Sequence, residues 1–541
     1  MKSIFIIMMA LILLATIPTS DAAYACSPTC YVAKTGNDGN AGTSGSPWLT
    51  INYAASQVTA GDTVYVKVGN YNEQVTFANS GTDGNYIHLT NYSGDIVTIN
   101  GAGVNFTQPW GDDEGIITIW SKSYIKVTNM RIENSSYMGM YANGNGGANP
   151  SPSHINFSNN YINNISYAAI YINGQHSDLG YGTGVVISGN TVNNAHHTNP
   201  TVSGGEVISI VGGQSNFYIY NNLITNSYGG VFDFKDGVTN GYIYGNTCDN
   251  DDYTCFYVDA FNYNATNIYI YKNIIKNAPA TAGTMHSNCF NVAAEQAGGV
   301  VNGVYFYNNL CYNNAGTGMR VASYSLGSVS NVVMTSNTLY NNGDGEASRG
   351  GVYLELNAAT GIVVRNNIFS QNTAFQIRSD DADATITNNI IYGTQPYGAG
   401  NYALNSDPLF VSTSIPNFYL QTGSPAIDYG SSTAFVPSTD YAGTARPQGA
   451  AYDLGAYEYT GVVPTPTPQP TPGSGTTTTM RKSGFTLWGY DINFNLFNAT
   501  NITNAIMTNL KVTSTAGKGN SSFACFDNNG VIFSKTTPCN Q

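Results

Sequence analysis

One phrase returns along the whole middle of this chain: an alternating apolar run, an Asn, an apolar residue and a second Asn-rich break. It reads HINFSNNYINN from His154 to Asn164, GVVISGNTVNN from Gly184 to Asn194 and NFYIYNNLITN from Asn216 to Asn226. It comes back as GYIYGNTCDN, NIYIYKNIIKN, GVYFYNNLCYNN, NVVMTSNTLYNN, GIVVRNNIFSQN and ATITNNIIYG. The corresponding residues are Asn160, Asn190, Asn222, Asn246, Asn273, Asn309, Asn337, Asn367 and Asn389, spaced roughly 22 to 36 apart, which is the period of a solenoid. Units repeated at this interval have to stack, because one unit alone cannot bury its apolar face.

Within each phrase apolar residues alternate with polar ones, the period of a half-buried strand and not of a helix. A second alternating run follows each Asn: AAIYIN, EVISIV, GVFDFK, CFYVDA, CFNVAA, GMRVAS, GVYLEL and AFQIRS. Two or three short strands per repeat, joined by Gly- and Asn-rich turns with no amphipathic helix between, describe the coils of an all-β parallel β-helix. Asn at one place in every coil predicts an inward ladder of side-chain amides, each satisfying the next. Disorder, the other fate of an Asn-rich chain, is excluded through this region by regular alternation and abundant Tyr and Ile.

Charged residues make up only 9% of the 541 residues and the net charge is -13, which excludes nucleic acid as a partner. The surface has to be polar through Asn, Ser, Thr, Gly and Tyr, and such a surface suits carbohydrate. Lys2 precedes the apolar run Ile4 to Ile17, and Ala23-Tyr24-Ala25 satisfies the small-residue cleavage rule, so residues 1–25 read as a signal peptide and the protein as secreted or held at the cell surface. No second long apolar stretch predicts a membrane-spanning segment. Residues 26–105 read as an N-terminal cap and first coils, with a short helix from Ile51 to Val58, and residues 106–460 as the β-helix with its closing cap. A Pro/Gly/Thr spacer over 461–479 then leads to a small disulfide-closed module over 480–541, which offers a means of surface attachment.

Eight cysteines in an exported chain permit disulfides. Cys26 with Cys30 and Cys525 with Cys539 are sequence-local pairs. Cys255 and Cys289 hold like places in successive coils and are expected to bridge. Cys248 and Cys311 follow the ladder Asn by two positions, where other coils carry apolar residues, and read as buried and unbridged.

Aligning the second strands places the rare charges. With Phe232 and Phe234 inward, Asp233 and Lys235 point out, as do Tyr257 and Asp259, Asn291, Arg320, Tyr353 and Glu355, and Gln376 and Arg378. Glu206, Ser209, Tyr171 and Asn173 sit on the coils before, and Asp249, Asp251 and Asp252 are expected to join this outer stripe from the adjoining turn. In a chain so poor in charge, the clustering marks a candidate site.

YVAKTGNDGNAGTSGSPWLTINYAASQVTAGDTVYVKVGNYNEQV resembles the opening of secreted right-handed parallel β-helix proteins of the pectate-lyase-like superfamily, nearest to the family-nine polysaccharide lyases. DPLF at Asp407, GSPAIDYG at Gly423, DYAGTARP at Asp440 and DLGAYE at Asp453 resemble the closing segment of the same superfamily. The resemblance implies a right-handed helix and an extracellular polysaccharide as partner. For a lyase on a uronate-containing glycan it implies calcium, with hard oxygens offered by Asp236, Asp251, Asp252 and Asp259, and a catalytic group among Lys235, Arg320 and Asp233. Tyr257, Asn291, Tyr353 and Glu206 are then the substrate-binding side chains. The family's compact Asp-Asp-Gly-aromatic-Asp run is not reproduced, since Asp251-Asp252 is followed by Tyr253-Thr254-Cys255. A noncatalytic glycan-binding, adhesive or structural surface protein is the alternative that the same residues allow.

Overall fold

Alternation on this scale leaves each strand one face to bury, and stacking coil on coil buries it. In the computed structural model the described residues are 26–106, 114–144, 151–174, 180–196, 206–280, 287–322, 327–355, 359–381, 383–393, 404–432, 435–461 and three short strands within 510–535. Three long parallel sheets dominate, and successive coils visit them in a fixed order. Sheet I has 11 strands, from Val75–Thr76 to Ile377–Ser379. Sheet II has 14 strands, from Thr29–Val32 to Thr385–Thr387, and sheet III has 13, from Gly69–Tyr71 to Leu404–Asn405. The chain divides into two compact units, Met1–Thr477 and Thr478–Gln541, and the second contains an antiparallel sheet of Leu510–Val512, Ser522–Phe526 and Ile532–Lys535. The expected signal peptide and spacer lie outside the described residues, as does Cys539.

The turn from sheet II to sheet III explains the repeated Asn. Its first residue takes a left-handed backbone (Asn159, Asn221, Lys272, Asn308, Ser336, Asn366 and Asn388 all have φ between 49° and 56°), and the second, the predicted ladder Asn, turns inward. Asn160 Nδ2 donates to Asn190 Oδ1 at 3.1 Å, Asn190 to Asn222 at 2.9 Å, and the series runs unbroken to Asn367 and Asn389 at 3.1 Å. Each Oδ1 also accepts the backbone N–H of the preceding ladder Asn, so a buried turn is satisfied on both sides.

A second buried ladder, not foreseen, follows sheet III. Asn314 donates to Asn342 at 2.9 Å, Asn342 to Asn372 at 3.0 Å and Asn372 to Gln376 at 2.8 Å. Gln376, expected to point outward, therefore caps this interior column. Beside it lie two disulfides, Cys248–Cys255 and Cys289–Cys311, which correct the expected pairing. Cys255 and Cys289 do stack as neighbours, but each opens a sheet I strand across the turn from an inward Cys of sheet III. The cross-turn Cα separations are 6.3 and 6.2 Å, within reach of a disulfide. Cys26–Cys30 forms as expected.

The ends are closed by different means. The helix Ile51–Gln57, capped by Thr50 and with Val58 as its C-cap, buries Ile51, Ala54 and Ala55 beside Trp48 at the first coils. The closing segment packs Phe410, Phe418, Leu420, Ala426 and Leu454 against Leu310, Ile368 and Ile390 on the outer face of sheet III. Its centre is the buried Arg446, which donates to Glu458 at 2.8 Å and to the carbonyls of Asp453 and Gly455. Asp428, Asp440 and Asp453 accept backbone N–H groups within the segment.

Candidate functional site

Sheet I turns its Phe side chains inward, with Phe232, Phe256 and Phe290 stacked at 4.9 and 5.7 Å. Because the strands pair in register, the residues between them form a continuous outer row: Tyr171, Ser209, Asp233, Tyr257, Asn291, Arg320, Tyr353 and Arg378. Two positions on, Asn173, Val211, Lys235, Asp259 and Ala293 form a second row. The stripe read from period-2 alternation is thus assembled on one face.

Its centre is a lysine among carboxylates. Lys235 Nζ lies 3.0 Å from Asp233 Oδ2, 3.6 Å from Glu206 Oε1 and 3.9 Å from Asp259 Oδ2. Asp233 and Asp259 are buried, and neither Asp233 Oδ1 nor Asp259 Oδ1 receives a hydrogen bond. Burial, reinforced by Glu206, pushes the Asp233 carboxyl up to about 8, and burial together with Asp233 raises Asp259 well above the carboxylate range. Burial works against the Lys235 ammonium, but Asp233, Glu206 and Asp259 outweigh it and raise the lysine well above its ordinary value. The lysine is therefore held charged.

Towards the C-terminal coils three row side chains are clamped, each by an acid at the end of a following sheet I strand. The Tyr257 hydroxyl donates to Glu295, the Arg320 Nε and Nη2 donate to Glu355 Oε2 at 3.1 and 2.7 Å, and the Tyr353 hydroxyl donates to Asp380 at 3.0 Å. Arg378 lies over the Tyr353 ring at 4.3 Å and 3.5 Å from Asp380. Asn291, between Tyr257 and Arg320, keeps a buried Oδ1 that receives no hydrogen bond. The face thus carries six carboxylates, Glu206, Asp233, Asp259, Glu295, Glu355 and Asp380, against the three cations Lys235, Arg320 and Arg378. Glu295 and Asp380 were missed because they lie just past the alternating runs; their signal is an acid that recurs at the strand ends.

Three expected metal ligands stand elsewhere. Asp236 spends one oxygen on the backbone N–H groups of Phe261, Asn262 and Tyr263. Asp251 points into the interior, where its Oδ1 accepts the Ser227 N–H at 2.8 Å in the column that later coils fill with the second Asn ladder. Asp252 stays in that turn, and Asp249 pairs with Lys276 at 3.0 Å on sheet III. Among the described residues no three His, Cys, Asp or Glu side chains are disposed as a metal cage. Of the four expected metal ligands only Asp259 joins this cluster, beside Asp233 and Glu206; the buried Asp233 and Asp259 oxygens that receive no hydrogen bond have the chemistry a hard cation takes, but the three acids are not disposed as a cage.

Comparisons with known proteins agree with this architecture. A family described as "Pel9A-like, right handed beta helix region" matches residues 30–200, and a second, "Right handed beta helix region", matches residues 296–391. The chain is 27% identical over 373 residues to the Bacillus subtilis (strain 168) protein YwoF, covering 65% of this chain and 76% of that one. It is 32% identical over 120 residues to the pectate lyase PEL9 of Emericella nidulans, covering 21% of this chain and 29% of the relative. Among solved structures, XylC with xylose covers 79% of this chain and 98% of its own at 13% identity and a TM-score of 0.46. Pectate lyase Pel9A covers 80% and 96% at 17% identity and a TM-score of 0.37. With its three parallel sheets, its inward Asn ladder and these family matches, the chain belongs to the right-handed parallel β-helix proteins of the pectate-lyase-like superfamily.

Proposed function

We propose that this is an exported polysaccharide-active protein that binds an acidic, uronate-containing glycan along the outer face of sheet I and cleaves it by calcium-assisted β-elimination. The reading is carried by the gathering of acids on that face, six carboxyl groups around three cations, centred on Lys235. Such a face repels a polyuronate unless a divalent cation stands between the two, and hard carboxylate oxygens are what calcium takes. The similarity to a pectate lyase supports a polysaccharide as the partner. Among the described residues no helix is long and apolar enough to cross a membrane, and residues 480–541 would serve surface attachment.

Asp233 and Asp259, with Glu206 beside them, are the oxygens on this face that calcium would approach, and a bound ion would neutralise the uronate carboxylate and acidify the adjacent C–H. The chain's own part is to fix the sugar and move the proton. Arg320, held by Glu355, is a rigid donor beside the cluster, and Tyr257, whose hydroxyl hydrogen is committed to Glu295, offers its ring. Lys235 is the least buried member of the cluster and would take the proton from carbon; that electron pair becomes the double bond as the glycosidic C–O bond breaks and its oxygen leaves with a proton from water. An amine can do so only when uncharged, and the three carboxylates hold Lys235 protonated until their charge is compensated.

That last observation favours one second reading, a noncatalytic glycan-binding face with Lys235 as a fixed cation. The two separate in one assay. Purified protein is incubated with a panel of acidic polysaccharides, with calcium or with chelator, while the ultraviolet absorbance of unsaturated uronate ends is followed. Elimination predicts a calcium-dependent rise that Lys235→Ala abolishes. Retention on an acidic glycan with no rise on any member of the panel would move the chain to binding.

A further inference from the structure

The outer face of sheet II carries a feature that the charged row does not use. Over four successive coils both outward positions are tyrosine. Tyr218, Tyr242, Tyr269 and Tyr305 form one stack with ring centroids 5.3, 5.1 and 4.8 Å apart, and Tyr220, Tyr244, Tyr271 and Tyr307 form a second at 5.0, 5.0 and 4.8 Å. The rings lie face to face within 16° of parallel, so their faces cover one another and their edges line the surface. Among the described residues none of the eight hydroxyls is hydrogen-bonded to protein. Burial and the neighbouring phenols raise Tyr242, Tyr244 and Tyr269 and push Tyr271 up to about 12, so the hydroxyls remain donors through the alkaline range.

Over these four coils the strands bear no charge. The strands Gln214–Tyr220, Thr239–Tyr244, Ala265–Tyr271 and Val300–Tyr307 contain no Asp, Glu, Lys, Arg or His. Beside the rings runs an exposed amide ladder, Asn216, Asn240 and Asn267, and Phe435 of the closing segment extends the first stack from Tyr305 at 5.0 Å. One coil therefore presents two phenol hydroxyls and polar side chains at a rise close to that of one sugar in a fully extended β-1,4-linked chain. Tyrosine held in a stack loses little freedom on binding, and its hydroxyl reads sugar hydroxyls without asking for charge.

We propose that this face is a second glycan-binding site, for an extended, uncharged β-1,4-linked polysaccharide lying along the helix axis. It lies on a different sheet from Lys235 and takes a polymer of different charge, and it stands whether or not the charged row cleaves anything.

The test is retention of the full chain on phosphoric-acid-swollen cellulose, a neutral β-1,4-glucan, at low and high salt. Wild-type protein is expected to be retained with little salt dependence. The triple variant Tyr218→Phe/Tyr242→Phe/Tyr269→Phe, which keeps the rings and removes the hydroxyls, is expected to bind about tenfold more weakly with an unchanged thermal midpoint, since each lost hydrogen bond contributes only modestly. Lys235→Ala is expected to be retained like wild type. The proposal is overturned by no retention of wild type, by equal retention of the Phe variant, by equal loss in Lys235→Ala, or by a Phe variant that changes sedimentation from dimer to monomer, which would make the face an interface between copies of this chain.

Discussion

A carboxyl group taken out of water without enough donors keeps its proton, and Asp233 and Asp251 do so, each pushed up to about 8 mainly by burial. A folded-state value above the unfolded one means that the native chain binds the extra proton, so stability is full below about pH 4 and is lost as the pH rises towards about 8. At Asp251 the cost has no evident return, because Oδ2 is buried without a hydrogen bond in a column where later coils place Asn. Asp251→Asn is expected to stabilise the chain by about 1–3 kcal/mol at pH 8, the penalty of one unsatisfied buried polar group, and by little at acid pH. Denaturant melts across that range measure it. Asp233 differs, since Lys235 stands 3.0 Å from it on an outer face and works to lower its pKa. The sequence could not separate the two: alternation tells inside from outside along a strand, as it did for Asp233, but Asp251 sits in a turn, where the period-2 rule lapses.

Whether an Asn matters depends on which column it joins. Asn273 accepts from Asn246, donates to Asn309 and also donates to the Ile243 carbonyl, all of them buried. Asn240 lies in the exposed ladder, 3.4 Å from Asn216. Asn273→Ala is expected to cost about 2–4 kcal/mol and Asn240→Gly, which tolerates the left-handed backbone there, less than about 0.5 kcal/mol, because only the first strands buried donors and acceptors. Unfolding curves of the two variants decide it. All nine ladder positions were legible because each turn repeats the same pair, a left-handed residue and then an inward Asn. The cysteines were not legible: Cys255 and Cys289 share a register, and only the closeness of sheets I and III across the turn makes Cys248 and Cys311 their partners. Non-reducing peptide mapping is expected to give Cys248–Cys255 and Cys289–Cys311; a Cys255–Cys289 peptide would contradict this packing.

Across the whole β-helix the rare charges are used in two ways. Some build the ends, as Arg446 does with Glu458 in the closing segment, where burial pushes the glutamate up to about 7. Arg446→Ala leaves that carboxylate buried without its partner, and the expected loss of about 3–5 kcal/mol should appear as earlier melting and exposure of Leu310 and Ile368 to a hydrophobic dye. Others gather on sheet I, where the densest cluster stands. Period-2 alternation was enough to predict that gathering, whereas the acids that clamp it, Glu295 and Asp380, belong to strand ends that only the stacked coils bring into line with Tyr257 and Tyr353. The claim that this face is the site is tested most directly by comparing two lysines that each pair with an aspartate at 3.0 Å, Lys235 on sheet I and Lys276 on sheet III. The measurement is binding and product formation on one acidic polysaccharide, with calcium, by wild type, Lys235→Met and Lys276→Met. The account predicts loss in Lys235→Met alone; equal behaviour of the two variants would contradict it.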